Sequence, residues 1–371
     1  MSGMLSPIGI VMPPLADYLG RTPAEVAPLF SWLTMGIFVG SALALVVFDV
    51  LAPRWWMLVL YLAIAISLLA LRLSEALWVL RISLGVVGTA CGIGLAAAAS
   101  TIASLYHEDR RASMLVITDG SFSIAGIVIS SLAVGFVAAA WHWASAYLAV
   151  AAVSVAICLL VVSAGFPSHQ HAAPNGVARS WPAPVWLCVV ALFLYTLGQY
   201  SLLWWLPTYL ETALGACRDN AGVVVARFWT GMFIAQLLVA WWVLRIGARR
   251  LVLLSVLGAF LGSLPLWTVA SLELLPWLAL LWGVANLGLL KVVIAFATLA
   301  VDHPSPRLVA ALLFGATSGT AISPVVTAAV AEFSGVRSVL QLGSVCYFVL
   351  AVLVGIAWLI QHRRTAPISK S

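Results

Sequence analysis

Four charged residues sit inside otherwise apolar stretches of the chain: Arg81, Asp119, Arg227 and Lys291. A charge held in hydrocarbon is costly, so each is a functional candidate by default. Asp119 shares a stripe with Ser123, Gly126 and Ser130, at spacings that fall on one side of a helix. Such a small, polar stripe faces protein or water rather than lipid. The Asp119 carboxylate could carry a proton or act as a gate, or it could belong to a structural charge pair near a helix end. Lys291 has Gly288, Ala295 and Thr298 on its own stripe. A lone ammonium at that depth loses its proton or finds a partner. Arg227 could meet an anionic solute or gate one side; it could also snorkel, or pair with Glu211 or Asp219. Tyr195 and Gln199 lie four apart with Thr196 beside them, which makes them hydrogen-bond candidates. Trp204 and Trp205 follow, where anchoring at an interface is the stronger reading, with Trp205 kept as a binding candidate.

The elements that must position these residues are helices in a membrane. Of 371 residues, 64% are hydrophobic and 8% charged, and the mean hydropathy is +1.12. A soluble domain carries about 25% charged residues, so lipid has to cover this surface. Apolar runs at 28–48, 55–72, 76–98, 113–138, 143–165, 183–206, 221–244, 251–270, 274–299, 308–331 and 337–360 each reach about 20 residues. A shorter apolar start, 1–13, ends at Pro13-Pro14, and a polar stretch rich in Pro, Ser and His, 166–182, reads as a linker. The expected organisation is therefore an N-terminal helix bundle at 1–165, a linker at 166–182 and a C-terminal bundle at 183–371.

The formal charge of +6 follows from the positive-inside rule and does not indicate nucleic-acid binding. If residues 1–13 run outward, the inner loops hold Arg54, Arg110, Arg111, Arg179, Arg245, Arg249, Arg250, Arg307, Arg363, Arg364 and Lys370, while the outer loops hold only Arg21, Arg72, Arg218 and Arg337. That bias places the linker and the C-terminus in the cytoplasm. By the same count, at 1.5 Å per residue, Asp119 lies roughly 9 Å and Lys291 roughly 7 Å to the inner side of the middle, on helices from opposite bundles. Trp55, Trp56, Trp78, Trp141, Trp143, Trp181 and Trp277 sit at run ends, as interfacial anchors do. The five cysteines form no disulfide framework, and residues 1–13 lack the basic start of a cleavable signal.

The two halves also repeat. A shift of about 195 residues lays Gly215 on Gly20, Arg249 on Arg54, and the run at 251–270 on that at 55–72. Parallel repeats around a linker are the plan of many secondary transporters. The same shift leaves the first helix about a dozen residues short, and we expect the native reading frame to extend upstream in apolar, helix-forming codons.

Arg245-Ile246-Gly247-Ala248-Arg249-Arg250 is similar to the basic-glycine loop of the major facilitator superfamily, and Arg81 with Gly85, Gly88, Gly92 and Gly94 resembles its fourth helix. More narrowly the chain resembles TsgA-like transporters near the fucose permease branch. The matching stretches are Ala16-Asp17-Tyr18, Thr118-Asp119 with Phe122-Ser123 and Ala125-Gly126, Leu197-Gly198-Gln199, Trp205-Leu206-Pro207-Thr208-Tyr209, Phe228-Trp229, Pro304-Ser305-Pro306 and Glu332-Phe333-Ser334-Gly335. The resemblance implies an all-α integral membrane protein with two pseudo-symmetric six-helix bundles, here with a shortened first helix, working by alternating access. It also places Tyr195 and Gln199 on a cavity-lining seventh helix, and Asp119 and Lys291 on helices that close the cytoplasmic side. Arg227 and Lys291 stand where uncharged residues are usual in the family, and the fifth helix lacks the glycine-proline motif of drug antiporters.

The expected function is secondary active transport of a small polar solute across the cytoplasmic membrane; no nucleotide-binding motif is present, so the expected energy source is an ion gradient, with a proton as the coupling ion. The expected partners are that solute, the coupling ion and the lipid bilayer, with no nucleic acid, no cofactor and no metal, and the chain is expected to act as a monomer. Interior cations favour an anionic solute, and kinship to the fucose permease branch favours a neutral sugar; both stay open. An embedded enzyme would need a catalytic cluster, yet all six histidines lie in loops or at helix ends. A transporter-like sensor or scaffold, including an inactive paralogue, is the remaining alternative; it would bind without flux.

Overall fold

In the computed structural model of the chain, backbone is described for residues 1–50, 53–105, 108–163, 181–301 and 306–365. Side chains are described for the same residues except 45–50, 53, 96, 97, 99–105, 108–119, 240, 241, 243, 244, 306, 307, 364 and 365. Among the described residues, eleven helices are long and apolar enough to cross a membrane, and a shorter apolar helix precedes them. In chain order they are α1 (Ile8–Leu19), α2 (Phe30–Val50), α3 (Pro53–Leu73), α4 (Leu77–Leu105), α5 (Glu108–Ala138) and α6 (Ser145–Ser163). The second set is α7 (Ala183–Leu214), α8 (Arg218–Val239), α9 (Arg245–Thr268) and α10 (Leu275–Thr298), then α11 (Pro306–Ser334) and α12 (Val336–Thr365). Odd-numbered helices run away from the face where α6 ends and α7 begins (the linker face) toward the opposite one (the far face). The chain is thus a multi-pass, all-α membrane protein. Helices are required because hydrocarbon offers no partner for backbone N–H and C=O groups.

Glycine sets the closest crossings, and it does so twice. Gly36 of α2 and Gly88 of α4 meet backbone to backbone, the built Cβ of Gly36 lying 3.0 Å from the Gly88 Cα. Gly231 of α8 and Gly283 of α10 repeat the contact at the same spacing, again 3.0 Å from the Gly231 Cβ to the Gly283 Cα. Both partners are displaced by the repeat interval read from the sequence. Helices without a hydrophobic drive between them associate by such close backbone packing. The C-terminal turns repeat too: α1 and α7 end on Gly20 (φ 62°) and Gly215 (φ 66°), left-handed positions that favour glycine.

Two expectations are corrected. The run at 274–299 is not one continuous helix. It is broken at its centre into Leu275–Ala285 and Leu289–Thr298, with Leu287 (φ 45°) and Gly288 (φ 59°) both left-handed. Asn286 caps the first piece, and the ladder resumes only when the Lys291 N–H bonds to the Gly288 carbonyl. An Asn-Leu-Gly step inside an apolar run is the breaker signal that hydropathy alone overlooks. Trp204 and Trp205 are not interfacial anchors: they are 2% and 1% exposed, and the Trp204 indole is turned against the first half.

Candidate functional site: a clasp between the halves and the broken helix

The two halves meet along three helix pairs. α1 crosses α7 where Gly9 faces the Trp204 carbonyl, its built Cβ only 2.7 Å away. The Trp204 indole N–H donates to the Leu5 carbonyl at 3.0 Å. Between α2 and α11, the Thr34 hydroxyl donates to the Ala321 carbonyl at 3.1 Å, and Phe38 tilts against Phe314 at 4.9 Å. Between α5 and α8, Gly126 lies under the Trp229 ring, with Phe122 at 5.8 Å. The Ser123–Gly126–Ser130 part of the stripe is therefore turned toward the other half, and Ser123 and Ser130 are fully buried with hydroxyls that find no partner among the described residues.

The far face is closed by charge. Arg218, at the start of α8, reaches Asp17 of α1 at 2.7 Å and Glu211 of α7 at 3.2 Å. Local chemistry places these groups. Gly20 ends α1 just past Asp17, and the Thr22–Glu25 capping box turns the chain at once toward α2. Glu211 is 16% exposed and Asp17 66%, so the clasp is buried on the second half and wet on the first. Among the described residues these are the ion pairs, and one of them joins the halves.

The sequence candidates separate. Tyr195 and Gln199 are each 4% exposed, and among the described residues neither makes a side-chain hydrogen bond. They lie on the face of α7 directed into the second half. There the Tyr195 ring meets Tyr347 of α12 edge-on at 6.3 Å, and the Tyr347 hydroxyl donates to Asn286 Oδ1 at 3.3 Å. Asn286 Nδ2 in turn donates to the Trp282 carbonyl at 2.8 Å. Two polar side chains without a hydrogen bond among the described residues, a buried amide and a helix break thus converge at the mid-depth of α7, α10 and α12. Trp205 is buried toward the far end of α7, nearly two turns beyond Gln199. Lys291 stands exposed on the linker-side piece of α10, three residues past the break. Asp119 lies on α5, but its side chain falls outside the described set, so the pairing with Lys291 does too. Arg227 is elsewhere: its guanidinium lies over the Trp277 ring at 4.9 Å, and Glu211, one of its expected partners, is held by Arg218. Arg81 is exposed, lining a groove between α2, α3 and α4. The clasp, Asn286 and Tyr347 escaped sequence reasoning; the Asn-Leu-Gly step could have flagged the second group, whereas the clasp joins loop-end residues that look merely solvated.

Comparison with known proteins agrees with this architecture. The model of the Major Facilitator Superfamily matches residues 1–216 and, again, 188–371. Protein TsgA of Salmonella arizonae is 25% identical over 361 residues, covering 96% of this chain and 91% of that protein. Protein TsgA of Shigella flexneri is 26% identical over 367 residues with the same coverage. A crystal structure of a mutant of the nucleoside transporter NupG superposes with a TM-score of 0.71 at 15% identity, covering 96% of this chain and 95% of that one. With two matched halves, eleven membrane-length helices and the fold of a solved transporter, the chain belongs to the Major Facilitator Superfamily.

Proposed function

We propose that this chain is a secondary active transporter that carries a small polar solute across the cytoplasmic membrane by alternating access, in symport with an ion, a proton being the simplest. The observation that carries the proposal is the clasp: one arginine joins the two halves at the far face, while α10 is broken at its centre. A wet ion pair contributes about 0.2–1 kcal/mol. That suits a gate, because interconverting states are separated by only a few kcal/mol. The linker face is cytoplasmic in this reading, and Asp119 with Lys291 forms the opposing gate when the far face opens. Tyr195 and Gln199, next to Asn286 and Tyr347, supply hydrogen bonds to the solute. Arg227 and Arg81 lie apart from that group, which removes much of the charge argument for an anionic solute.

The test is flux. Purified protein in liposomes under an inward proton gradient is screened with neutral sugars, nucleosides and carboxylates, with uptake and internal pH read together. Solute-dependent proton entry supports coupled transport, whereas binding without flux rejects it. In the same assay Asp119→Asn and Lys291→Met each impair uptake, and the double change costs less than the sum, because removing one partner strands a charge. Strictly additive losses would reject the pair.

A further inference from the structure

Arg81 and Arg227 come apart from the candidate site in related ways. The repeat interval that carries Gly36 to Gly231 and Gly88 to Gly283 also carries Trp32 of α2 to Arg227 of α8, and Ile82, the neighbour of Arg81 on α4, to Trp277 of α10. Each half thus places one arginine and one tryptophan beside the same glycine crossing, with the two residue types exchanged between the helices. In the second half they satisfy one another: the Arg227 guanidinium sits over the Trp277 ring at 4.9 Å, within the reach of a cation–π contact. In the first half they do not. Among the described residues Arg81 makes no hydrogen bond, ion pair or ring contact. Beside it a cavity of about 380 Å³ opens, lined by Trp32, Leu60, Ala63, Arg81 and Ile82 and running on past Gly85 to Ala90.

We propose that this groove between α2, α3 and α4 binds one glycerophospholipid, with the phosphate on Arg81 and an acyl chain lying along Gly85, Val86 and Thr89. Depth argues for a lipid. Arg81 is four residues into α4 from the far face, about 6 Å, which is interfacial depth for an arginine that can snorkel. From there the groove follows α4 toward the bilayer centre for eight residues, about 12 Å. Trp32 and Ile82 are 51% and 57% exposed, so the groove opens outward and not into the region between the halves. Gly85 provides the floor: a Cβ there would touch nothing closer than Trp32, at 3.9 Å, so the space is real and could be filled. The lining has one cation and no carboxylate, which selects an anionic or zwitterionic phosphate headgroup over a free fatty amine or a sterol.

Native mass spectrometry of the detergent-purified protein, titrated with phosphatidylglycerol, tests the proposal. The wild type should hold one phospholipid after excess detergent removes the rest. R81Q should weaken phosphatidylglycerol retention about fivefold, the equivalent of one arginine at an anionic surface. G85L should weaken every phospholipid by filling the groove, while R81Q should leave an uncharged diacylglycerol unaffected. sn-Glycerol 3-phosphate, which has the headgroup chemistry without chains, should not compete; competition by it would mean a free-phosphate site and would overturn the lipid assignment. Bromine-labelled phosphatidylglycerol gives a second readout that leaves Arg81 and Gly85 intact: its quenching of tryptophan emission should shrink in W32F relative to the wild type. Unchanged retention in both groove variants, or equal quenching with and without Trp32, rejects the site.

Discussion

Arg218 shows how residue-scale energetics decides what a contact can do. It is held by two carboxylates yet remains 38% exposed, so the attraction is screened and the net contribution is of the order of 0.2–1 kcal/mol. Arg218→Gln should therefore barely lower the melting temperature while raising the population of molecules open at the far face severalfold. Distances between spin labels placed across that face would show it, and an unchanged distribution would mean that the clasp is ornamental to the equilibrium. His142 carries a different lesson. It lies between α5 and α6, its Nδ1 accepts the Ala144 N–H at 3.2 Å, and Tyr18 packs edge-on at 4.9 Å. Partial burial, with help from Arg72, holds its pKa below the ordinary 6.5. The unfolded chain then binds the proton more readily than the folded one, so this residue's stabilising effect is present above about pH 6.5 and is lost as the pH falls below it. His142→Gln should flatten the decline in melting temperature between about pH 7.5 and 5.5; an identical slope would show that other groups dominate.

At the scale of the element, glycine pairs are where helices are held. A methyl at Gly283 would collide with the Phe228 carbonyl oxygen and with Gly231. The neighbour is backbone and cannot rotate away, so α8 and α10 would have to separate. Overpacking of this kind costs about 1–3 kcal/mol. At Gly94 of α4 nothing lies within 4 Å of a built Cβ, and alanine there should stabilise by about 0.5–1 kcal/mol through helix propensity. Thermal unfolding of Gly283→Ala and Gly94→Ala in the same detergent tests the contrast; equal shifts would remove the crossing as the cause. The break in α10 belongs to this scale as well. It divides α10 into two half-helices, and Lys291 sits on the linker-side piece.

For the whole molecule, the orientation of the fold in the membrane is the open variable that one natural residue can report. Of the five cysteines, Cys91, Cys188 and Cys346 are buried, Cys158 is half-buried and Cys217 is exposed. Cys217 adjoins Arg218 on the far face. A membrane-impermeant maleimide added to intact cells should therefore label the protein at Cys217, and Cys217→Ser should abolish that label. Labelling that appears only after the membrane is broken would place the far face in the cytoplasm and overturn the orientation drawn from the basic residues.

Sequence alone determined the membrane class, the number and order of the helices, the repeat and the family, because each rests on composition or on spacing along the chain. Lipid imposes a helix on every apolar run of sufficient length, and duplicated halves preserve glycines at a fixed interval, so these features survive without coordinates. It also singled out Tyr195 and Gln199, since polar side chains in an apolar helix are conspicuous. Tertiary structure decided what surrounds the interior arginines: a tryptophan ring for Arg227 and an outward-facing groove for Arg81. Whether an arginine faces the other half, a tryptophan or lipid depends on helical phase and on which helix packs beside it, and hydropathy averages that phase away. Trp204 looked like an interface anchor until α1 was laid against α7. Asp17, Glu211 and Arg218 looked like ordinary loop-end charges; only the approach of the two halves, fixed by packing between residues some two hundred positions apart, turned them into a clasp.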